Sequence, residues 1–476
     1  MTRVRIERRS FLKTAAQTLL ATPAAAAFGR IADAQQAVPA KPAPLVPSAI
    51  APKLPAKPAV ILNVRDFGAT GDGTTKDTLA IQQTIERCSV LGGGEVVVPA
   101  GDYLTGALAL RSNVVLRVEP SATLNGSPDM ADYPLAQIRW EGHWVKGYIG
   151  FISATDAENI GIVGSGKIIG SPAVKGRIER PSGLRLPALL EFINCKNVRV
   201  EDCDTQQFGM WSTHPVYCED VTFKNVSFKS GADGIDVDSC KRVIIDGCYF
   251  ETGDDSISLK SGLGAEGNTI GRVCEDVLIT NCTMSDVGFA CIGIGSETSA
   301  GVRNVRIEHC KFVHARSHAI YIKSRVGRGA FVENITASDL DVSGMGQGFL
   351  RINNEDSGKS DGDDSVPGEV GIPVFRNFHF SNVRVTGVPT LVDAKNLDPR
   401  KPLDGLTLAN ITGTCSKGIA LANIKNVQIS GVKVTGFEGP LLSTFQVTGT
   451  GLAGAATIEG PKPPDLFQPA KPYQLR

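Results

Sequence analysis

A seven-residue phrase recurs along the chain, and its spacing restricts the fold more than any other feature of the sequence. Its clearest copies are NVRVEDC from residue 197, DVTFKNV from 220, RVIIDGC from 242, DVLITNC from 276 and NVRIEHC from 304. Weaker copies, NITASDL, NFHFSNV, GLTLANI and NVQISGV, begin at residues 334, 377, 405 and 426. The shortest steps are 21 to 23 residues, and longer steps contain insertions. This repeat predicts an all-β fold, a single-stranded right-handed parallel β-helix in which each coil is one repeat and insertions are loops.

Most of the eleven cysteines occupy two fixed places in this repeat. The first place holds Cys203, Cys248, Cys282 and Cys310, and the second holds Cys195, Cys218, Cys240 and Cys274. In other coils the first place is filled by Val, Leu or Ile. We therefore expect the thiols to lie in the core as small apolar groups, with a disulfide framework as the alternative.

The composition is that of a turn-rich soluble protein, with 52 glycines, 42% hydrophobic residues and only 6% aromatic residues. Acidic and basic residues are equal in number, 49 of each, which argues against nucleic acid or an anionic membrane as a partner. No stretch beyond the N-terminal segment approaches the ~18 apolar residues of a membrane span. We expect the mature protein to be a soluble monomer.

The N-terminal region predicts export followed by a single domain. Residues 1–34 contain RRSFLK, an apolar run and an A-x-A site, which together indicate a twin-arginine-type signal peptide and a periplasmic or secreted protein. Residues 35–59 are rich in Pro and Ala and predict an extended linker. The β-helix is expected over residues 60–440, and residues 441–476 are expected to form a C-terminal capping tail.

The segment 64–88 predicts a cap for the open end of the solenoid. Its pattern indicates a strand, a Gly-rich turn that includes GDG at 71–73, and an amphipathic helix with Asp77 as its N-cap. Such a helix would cover strand edges that otherwise invite aggregation.

Two consecutive coils carry an unusual concentration of acids. Superposing Ile235 on Ile257, one coil of 22 residues, brings Asp233 beside Asp255 and leaves Asp254 next to them. Three carboxyl groups this close cannot all keep ordinary pKa values, so at least one should hold its proton toward neutral pH. One protonated acid and one ionised base are what glycoside hydrolysis requires. Aspartates also cap amides in β-helix turns, so position alone leaves a structural role open.

At this point the sequence resembles a known family. The stretches NVRDFGATGDGTTKDTLAIQQTI, WSTHPVYCEDVTFKNVSF, DGIDVDSC, TGDDSISLKSG and IGIGSE are similar to those of the polygalacturonases, the pectin-degrading glycoside hydrolases of family 28. The likeness runs from about residue 60 to 440. It implies an inverting hydrolase of pectic polysaccharide or oligosaccharide that needs no cofactor and no metal. By the same resemblance, Asp254 is the general acid, and Asp233 and Asp255 activate water.

Two motifs of that family are changed in this chain. The family's Gly-His-Gly falls on residues 288–290, where Phe289 replaces the histidine, and its Arg-Ile-Lys falls on residues 321–323, where Tyr321 replaces the arginine and Lys323 remains. Aligning the following coils places Arg351 beside Tyr321 and His318 in the column of Asp255. We therefore expect Lys323, Tyr321, Phe289, Arg351 and His318 to contact substrate, with Arg351 and His318 as replacements for the missing groups.

Two other functions fit parts of the sequence. A β-helix pectate lyase would need Ca²⁺ and would leave unsaturated sugar ends, whereas a binding solenoid that has lost catalysis would hold pectin without turnover. Intact Asp233, Asp254 and Asp255 argue against such a loss. Both endo and exo action, and both galacturonan and rhamnogalacturonan, are compatible with the sequence.

Overall fold

The computed structural model describes residues 60–180, 182–354 and 365–467. The predicted signal peptide, the linker and the last residues of the tail lie outside the described residues and stay predictions. Within the described part, strands pair in parallel with the strands one coil before and one coil after, and together they form one 33-stranded sheet. Because parallel crossovers are right-handed, the sheet winds into a right-handed parallel β-helix, which confirms the fold predicted from the repeat.

Three ladders, named A, B and C, form the sides of the helix. Ladder A contains Leu108–Ala109, Ile152–Thr155, Leu190–Ile193, Thr213–Val216, Ile235–Asp238, Ile257–Lys260, Ile292–Ile294, His318–Lys323 and Gly348–Asn353. Ladder B contains Ile61–Asn63, Gly94–Val98, Val114–Val118, Glu158–Val163, Lys196–Glu201, Glu219–Lys224, Lys241–Asp246, Cys274–Thr280 and Val302–Glu308. Ladder C contains Asp72–Lys76, Gly101–Thr105, Ala122–Gly126, Lys167–Ile169, Asp204–Gln207, Ser227–Ser230, Tyr249–Thr252, Thr283–Val287 and Lys311–Phe312.

The last coils contain strands much longer than those of the three ladders, together with two short ones. The long strands are Phe331–Ser343, Val374–Asn396, Leu403–Ser430 and Leu442–Thr450, and the short strands Lys433–Thr435 and Ala456–Thr457 accompany them. The strand Leu442–Thr450 pairs in parallel with Leu403–Ser430, so the ladder continues past residue 440, where the sequence predicted a capping tail.

The repeated phrase forms ladder B, and its second residue makes one buried column. Val198, Val221, Val243 and Val277 are consecutive Cα partners in this column, and all four are buried. All eleven cysteines are likewise buried and unpaired, so the prediction that they are core residues is confirmed and the disulfide alternative is wrong. At the last position of the phrase, Cys exchanges with Val, Leu and Ile between coils, since that column needs only a small apolar group.

Asparagines hold the turns at one corner of the helix. Asn304, Asn334 and Asn377 adopt the left-handed conformation, with φ of 57°, 56° and 59°, which asparagine tolerates better than most residues. The side-chain amide of Asn334 donates to the Asn304 side chain at 3.0 Å, and Asn377 donates to Asn334 at 3.0 Å. These bonds run from coil to coil and fix the register in which the next ladder starts.

Helix α1, Thr78–Val90, closes the N-terminal end as predicted. Its Ile81, Ile85 and Cys88 are buried against the first coil. Asp77 is the N-cap residue, as predicted, and its carbonyl accepts from the Ile81 amide at 3.0 Å. Its side chain does not cap the helix, because the carboxylate accepts instead from the backbone amide of Thr70 at 2.7 Å. Asp72 and Gly73, expected to lie in a turn, instead begin the strand Asp72–Lys76, the first strand of ladder C.

The remaining elements lie in insertions between coils. They are helix α2 (Gly264–Ile270), the antiparallel β-hairpin of Leu135–Trp140 and His143–Tyr148, and the 3₁₀ turns Val64–Phe67, Met130–Asp132 and Glu369–Gly371. The hairpin matters for the site because it stands beside ladder A.

Candidate active site

Ladder A brings the three acids singled out in the sequence into one place. Ile235 pairs with Ile257 as predicted, and the amide of Asp254 donates to the Ala232 carbonyl at 3.3 Å. As a result Asp233, Asp254 and Asp255 all line one cavity of about 110 Å³. The structure thus produces the convergence that the 22-residue offset predicts.

Asp255 is held rigidly at the floor of this cavity. Only 3% of the residue is exposed. One carboxylate oxygen accepts from the Ala290 amide at 3.0 Å, and the other accepts from Lys323 Nζ at 2.8 Å and Ser258 Oγ at 3.0 Å. Gly293, the neighbour of Ser258 in the next coil, leaves the room that this carboxylate occupies.

Asp233 shares its burial with an acid that the sequence reasoning missed, Asp236. Burial raises the pKa of Asp233, and the Asp255 and Asp254 carboxylates add to the effect, whereas Lys260 opposes it. Asp236 is fully buried, and burial together with the Asp233 carboxylate holds its pKa well above its usual range. The signal was present in the sequence, because alternation along residues 235–238 directs Asp236 to the same outer face.

The side chains that these two strands direct away from the core are nevertheless buried. Lys260 lies opposite Asp238 in register, but its ammonium is 2.7 Å from Asp236 and lies over the Trp211 ring at 4.8 Å. Burial lowers the pKa of Lys260, but the surrounding carboxylates, Asp236 foremost, outweigh burial and hold it well above its usual range. The cavity floor is therefore a dense network of charges.

Asp254 differs from the other two acids in its exposure. Its side chain is 37% exposed, and its carboxylate pairs with the guanidinium of Arg177 at 2.6 Å. Burial lowers the pKa of Arg177, but the hydrogen bond to Asp254 and the charge of Asp233 outweigh burial and raise it. Sequence reasoning missed Arg177 because it lies in the insertion between Lys167–Ile169 and Leu190–Ile193, where no repeat gives a register.

The β-hairpin contributes a further acid, Glu141, at its tip. Glu141 lines the same cavity, and burial, followed by the nearby Glu297, raises its pKa. The hairpin is fastened by Arg139, which is only 1% exposed and donates to Asp238 at 3.1 Å and to Glu266 at 3.0 Å. These bonds fix the hairpin as one wall of the cavity.

The other predicted substrate-binding residues form an aromatic and basic cluster farther along ladder A. Tyr321 pairs in register with Arg351, whose guanidinium lies 5.2 Å from the Tyr321 ring centroid. Lys323 Nζ lies 4.8 Å from the centroid of Phe289 and also reaches Asp255. His318 lies 5.5 Å from Tyr321, and burial, with a smaller effect of Arg351, lowers its pKa to about 4.

Gly231, two residues before Asp233, is required by the close stacking of neighbouring coils. A Cβ on Gly231 would collide with the backbone of Phe208, and Gly231 in turn lies against Gly253 of the next coil. Gly253 in the same way touches Gly288. This close backbone stack leaves no room for a side chain at position 231.

The comparison with known proteins decides the family. The family model described as glycosyl hydrolases family 28 matches residues 88–386, more than half of the chain. The chain belongs to glycosyl hydrolases family 28. It is accordingly a glycosyl hydrolase, as the resemblance implied.

Individual relatives agree with this family. A probable polygalacturonase of Vitis vinifera is 27% identical over 363 residues, which cover 73% of each chain. An exo-poly-alpha-D-galacturonosidase of Dickeya chrysanthemi is 26% identical over 52% of this chain and 50% of its own length. The crystal structure of a hyperthermoactive exopolygalacturonase from Thermotoga maritima superposes with a TM-score of 0.71 at 27% identity, over 80% of this chain and 94% of that one.

Among the residues that the structure describes, no helix is long and apolar enough to cross a bilayer.

Proposed function

We propose that this family 28 hydrolase cleaves α-linked galacturonate bonds of pectic polysaccharide or oligosaccharide with inversion. The observation that carries the proposal is the convergence of Asp233, Asp254 and Asp255 on one cavity in which the three have different surroundings. The names of the relatives, a probable polygalacturonase and an exopolygalacturonase, support galacturonan as the substrate class.

Asp254 acts as the general acid. It is the most exposed of the three acids, so its carboxyl group can reach the glycosidic oxygen of a bound sugar chain. Asp233 and Asp255 hold and deprotonate the attacking water from below. The raised pKa of Asp233 makes it a stronger base than an ordinary aspartate, and Asp255 is oriented by three hydrogen bonds.

The aromatic and basic cluster binds the sugar on the far side of the scissile bond. Tyr321 and Phe289 offer ring faces, and Arg351, which makes no ion pair within the described residues, grips a carboxylate in place of the arginine missing at 321. His318 acts as a neutral hydrogen-bonding ring because of its low pKa. Lys323 links this cluster to Asp255.

The proposed location of the enzyme rests on the N-terminal sequence. The protein is exported by the twin-arginine-type signal in residues 1–34, and the mature chain works as a monomeric single-domain enzyme.

The test is hydrolysis of a panel of pectic oligosaccharides by the purified protein. We expect new reducing ends without ultraviolet-absorbing unsaturated ends, and an inverted anomeric configuration of the fresh product by NMR. Asp254→Asn should lower kcat by about 10²- to 10⁴-fold while the fold is kept. Asp286→Asn, an exposed aspartate paired with His314 away from the cavity, is the matched control and should behave as wild type.

Three outcomes would contradict the proposal. Unsaturated products would identify a lyase, and tight binding without turnover would identify a binding solenoid. Asp254→Asn that keeps most of its activity would refute the assignment of the acid.

A further inference from the structure

The cavity is lined by more acidic than basic side chains, which is electrostatically unfavourable for the binding of an acidic sugar. Its lining includes the acids Glu141, Asp233, Asp254, Asp255 and Glu297, and the cations Arg177, Lys260 and Lys323. A uronate brings one more negative charge into this surrounding. It can bind only if one of the cations is available to it.

Two of the three cations are already committed. Lys260 Nζ is 2.7 Å from Asp236 and 3.4 Å from Asp233, and Lys323 Nζ is 2.8 Å from Asp255. Their side chains are only 11% and 13% exposed, so these pairs cannot open without leaving a buried charge unpaired.

Arg177 is the cation that can change partners. Its side chain is 38% exposed, and within the described residues its one ion pair is with Asp254, which is 37% exposed. Ion pairs at this exposure are weak, because water competes for both groups. A uronate carboxylate, which accepts both arms of a guanidinium, can therefore replace Asp254.

The backbone around Arg177 is fixed, so the exchange needs only side-chain rotation. The Leu186 amide donates to the Arg177 carbonyl at 2.9 Å, and the Glu179 amide donates to the Leu184 carbonyl at 2.8 Å. Ile178 also forms an antiparallel bridge with Arg185.

A second cavity adjoins the first, and Arg177 lines both. This cavity has a volume of about 820 Å³ and an apolar side that includes Met130 and Leu186. Lys175 and Arg180 also line it, are exposed, and make no ion pair within the described residues. The one acid of the segment, Glu179, accepts from the Tyr148 hydroxyl at 3.0 Å. The cavity therefore has an excess of positive charge and the size of a sugar site.

We propose, on the basis of the role assigned to Asp254 above, that segment 175–180 forms a subsite for an anionic sugar. Arg177 passes from Asp254 to the carboxylate of that sugar when it binds. Asp254, released from the guanidinium, takes a proton from solvent and gives it to the glycosidic oxygen as that bond breaks. The attacking water gives its own proton to the Asp233 and Asp255 pair. Binding of a uronate thus prepares the acid for its step, and a neutral sugar does not.

The first test compares a free-acid trigalacturonide with its neutral methyl ester. For Arg177→Met we expect kcat/KM on the free acid to fall about 10- to 100-fold, because a charge-assisted bidentate contact is lost, with the ester changed by less than about 3-fold. The matched control is Arg242→Met. Arg242 is 37% exposed and lies 2.6 Å from Asp220, so it has the same exposure and ion-pair length outside the site. Equal losses on both substrates, or no loss on either, would overturn the exchange.

The second test is a titration of galacturonate into proteins that do not turn over. Asp254→Asn removes the competitor for the guanidinium, so galacturonate should bind about 2- to 5-fold tighter than to wild type, the range expected for an exposed ion pair. The added change Arg177→Met should abolish this gain. Unchanged affinity in Asp254→Asn would overturn the proposal.

The two tests also separate this inference from the proposed function. A wild type that hydrolyses neither trigalacturonide refutes the function, whereas the titration still reports on Arg177. If the wild type cleaves only the free acid, the titration alone decides.

Discussion

Gly293→Ala should disable the site while the protein stays folded. A methyl group on Gly293 would lie 3.0 Å from Asp255 Cγ and closer still to Oδ2, so the carboxylate oxygen must withdraw by about 1 Å to reach ordinary contact. Asp255 cannot withdraw freely, because its oxygens are bonded to Ala290, Lys323 and Ser258. Displacement of a reacting group by ~1 Å costs about 10²-fold in rate, or ~2.7 kcal/mol of barrier, so we expect kcat to fall by roughly that factor.

The assay is the initial rate of reducing-end release from polygalacturonate, with thermal unfolding measured in parallel. Gly161→Ala is the control: it makes the same change in a strand of ladder B, where the added Cβ would meet Val115 Cγ1 at an ordinary 3.4 Å. We expect Gly161→Ala to keep wild-type kcat. A kcat for Gly293→Ala within about 3-fold of wild type would refute the role of Asp255 position in the rate.

Two further predictions concern stability. Arg139→Met should lower the free energy of unfolding by about 3 kcal/mol, because it leaves the buried Asp238 carboxylate without its guanidinium partner. For a protein of ~400 ordered residues this corresponds to a fall in Tm of about 4 °C. A loss of stability under ~1 kcal/mol by calorimetry would contradict this prediction. His318 has a folded pKa of about 4 against 6.5, so below pH 6.5 the unfolded chain takes up a proton that the folded chain refuses until about pH 4. Relative to His318→Gln, wild type should therefore lose up to about 3 kcal/mol between pH 6.5 and 4, and parallel pH curves in urea unfolding would contradict it.

The fold was predictable because the spacing of the repeat in the sequence gives the register between neighbouring coils of a parallel β-helix. Each coil stacks directly on the last, so Val198, Val221 and Val243 occupy one column and repeat at the coil length. The same spacing predicted, from the sequence alone, that Asp233 lies beside Asp255 and that Tyr321 lies beside Arg351. What the repeat cannot describe is an insertion, since its residues pair with no neighbouring coil.

Two residues of the candidate site lie in such insertions. Glu141 is at the tip of the β-hairpin and Arg177 is in the connection before Leu190, and neither has a column position from which contact could be derived. Their placement depends on tertiary contacts between distant segments, such as the bond from Arg139 to Asp238, 99 residues away. The floor of the cavity therefore follows from the sequence, whereas its walls do not.

The changed family motifs become consistent once the coils are stacked. Tyr321 stands where the family has an arginine, so its coil lacks that cation. Arg351 in the next coil provides a cation, with its guanidinium over the Tyr321 ring. Phe289, in place of the family's histidine, packs at 6.0 Å from Tyr321 and under the ammonium of Lys323. Two cations thus flank a pair of aromatic faces, the geometry on which the proposed binding of a uronate by its apolar face and its carboxylate rests. Relative to the family's Arg-Ile-Lys motif, the arginine of this cluster therefore lies one coil farther along the solenoid, at Arg351.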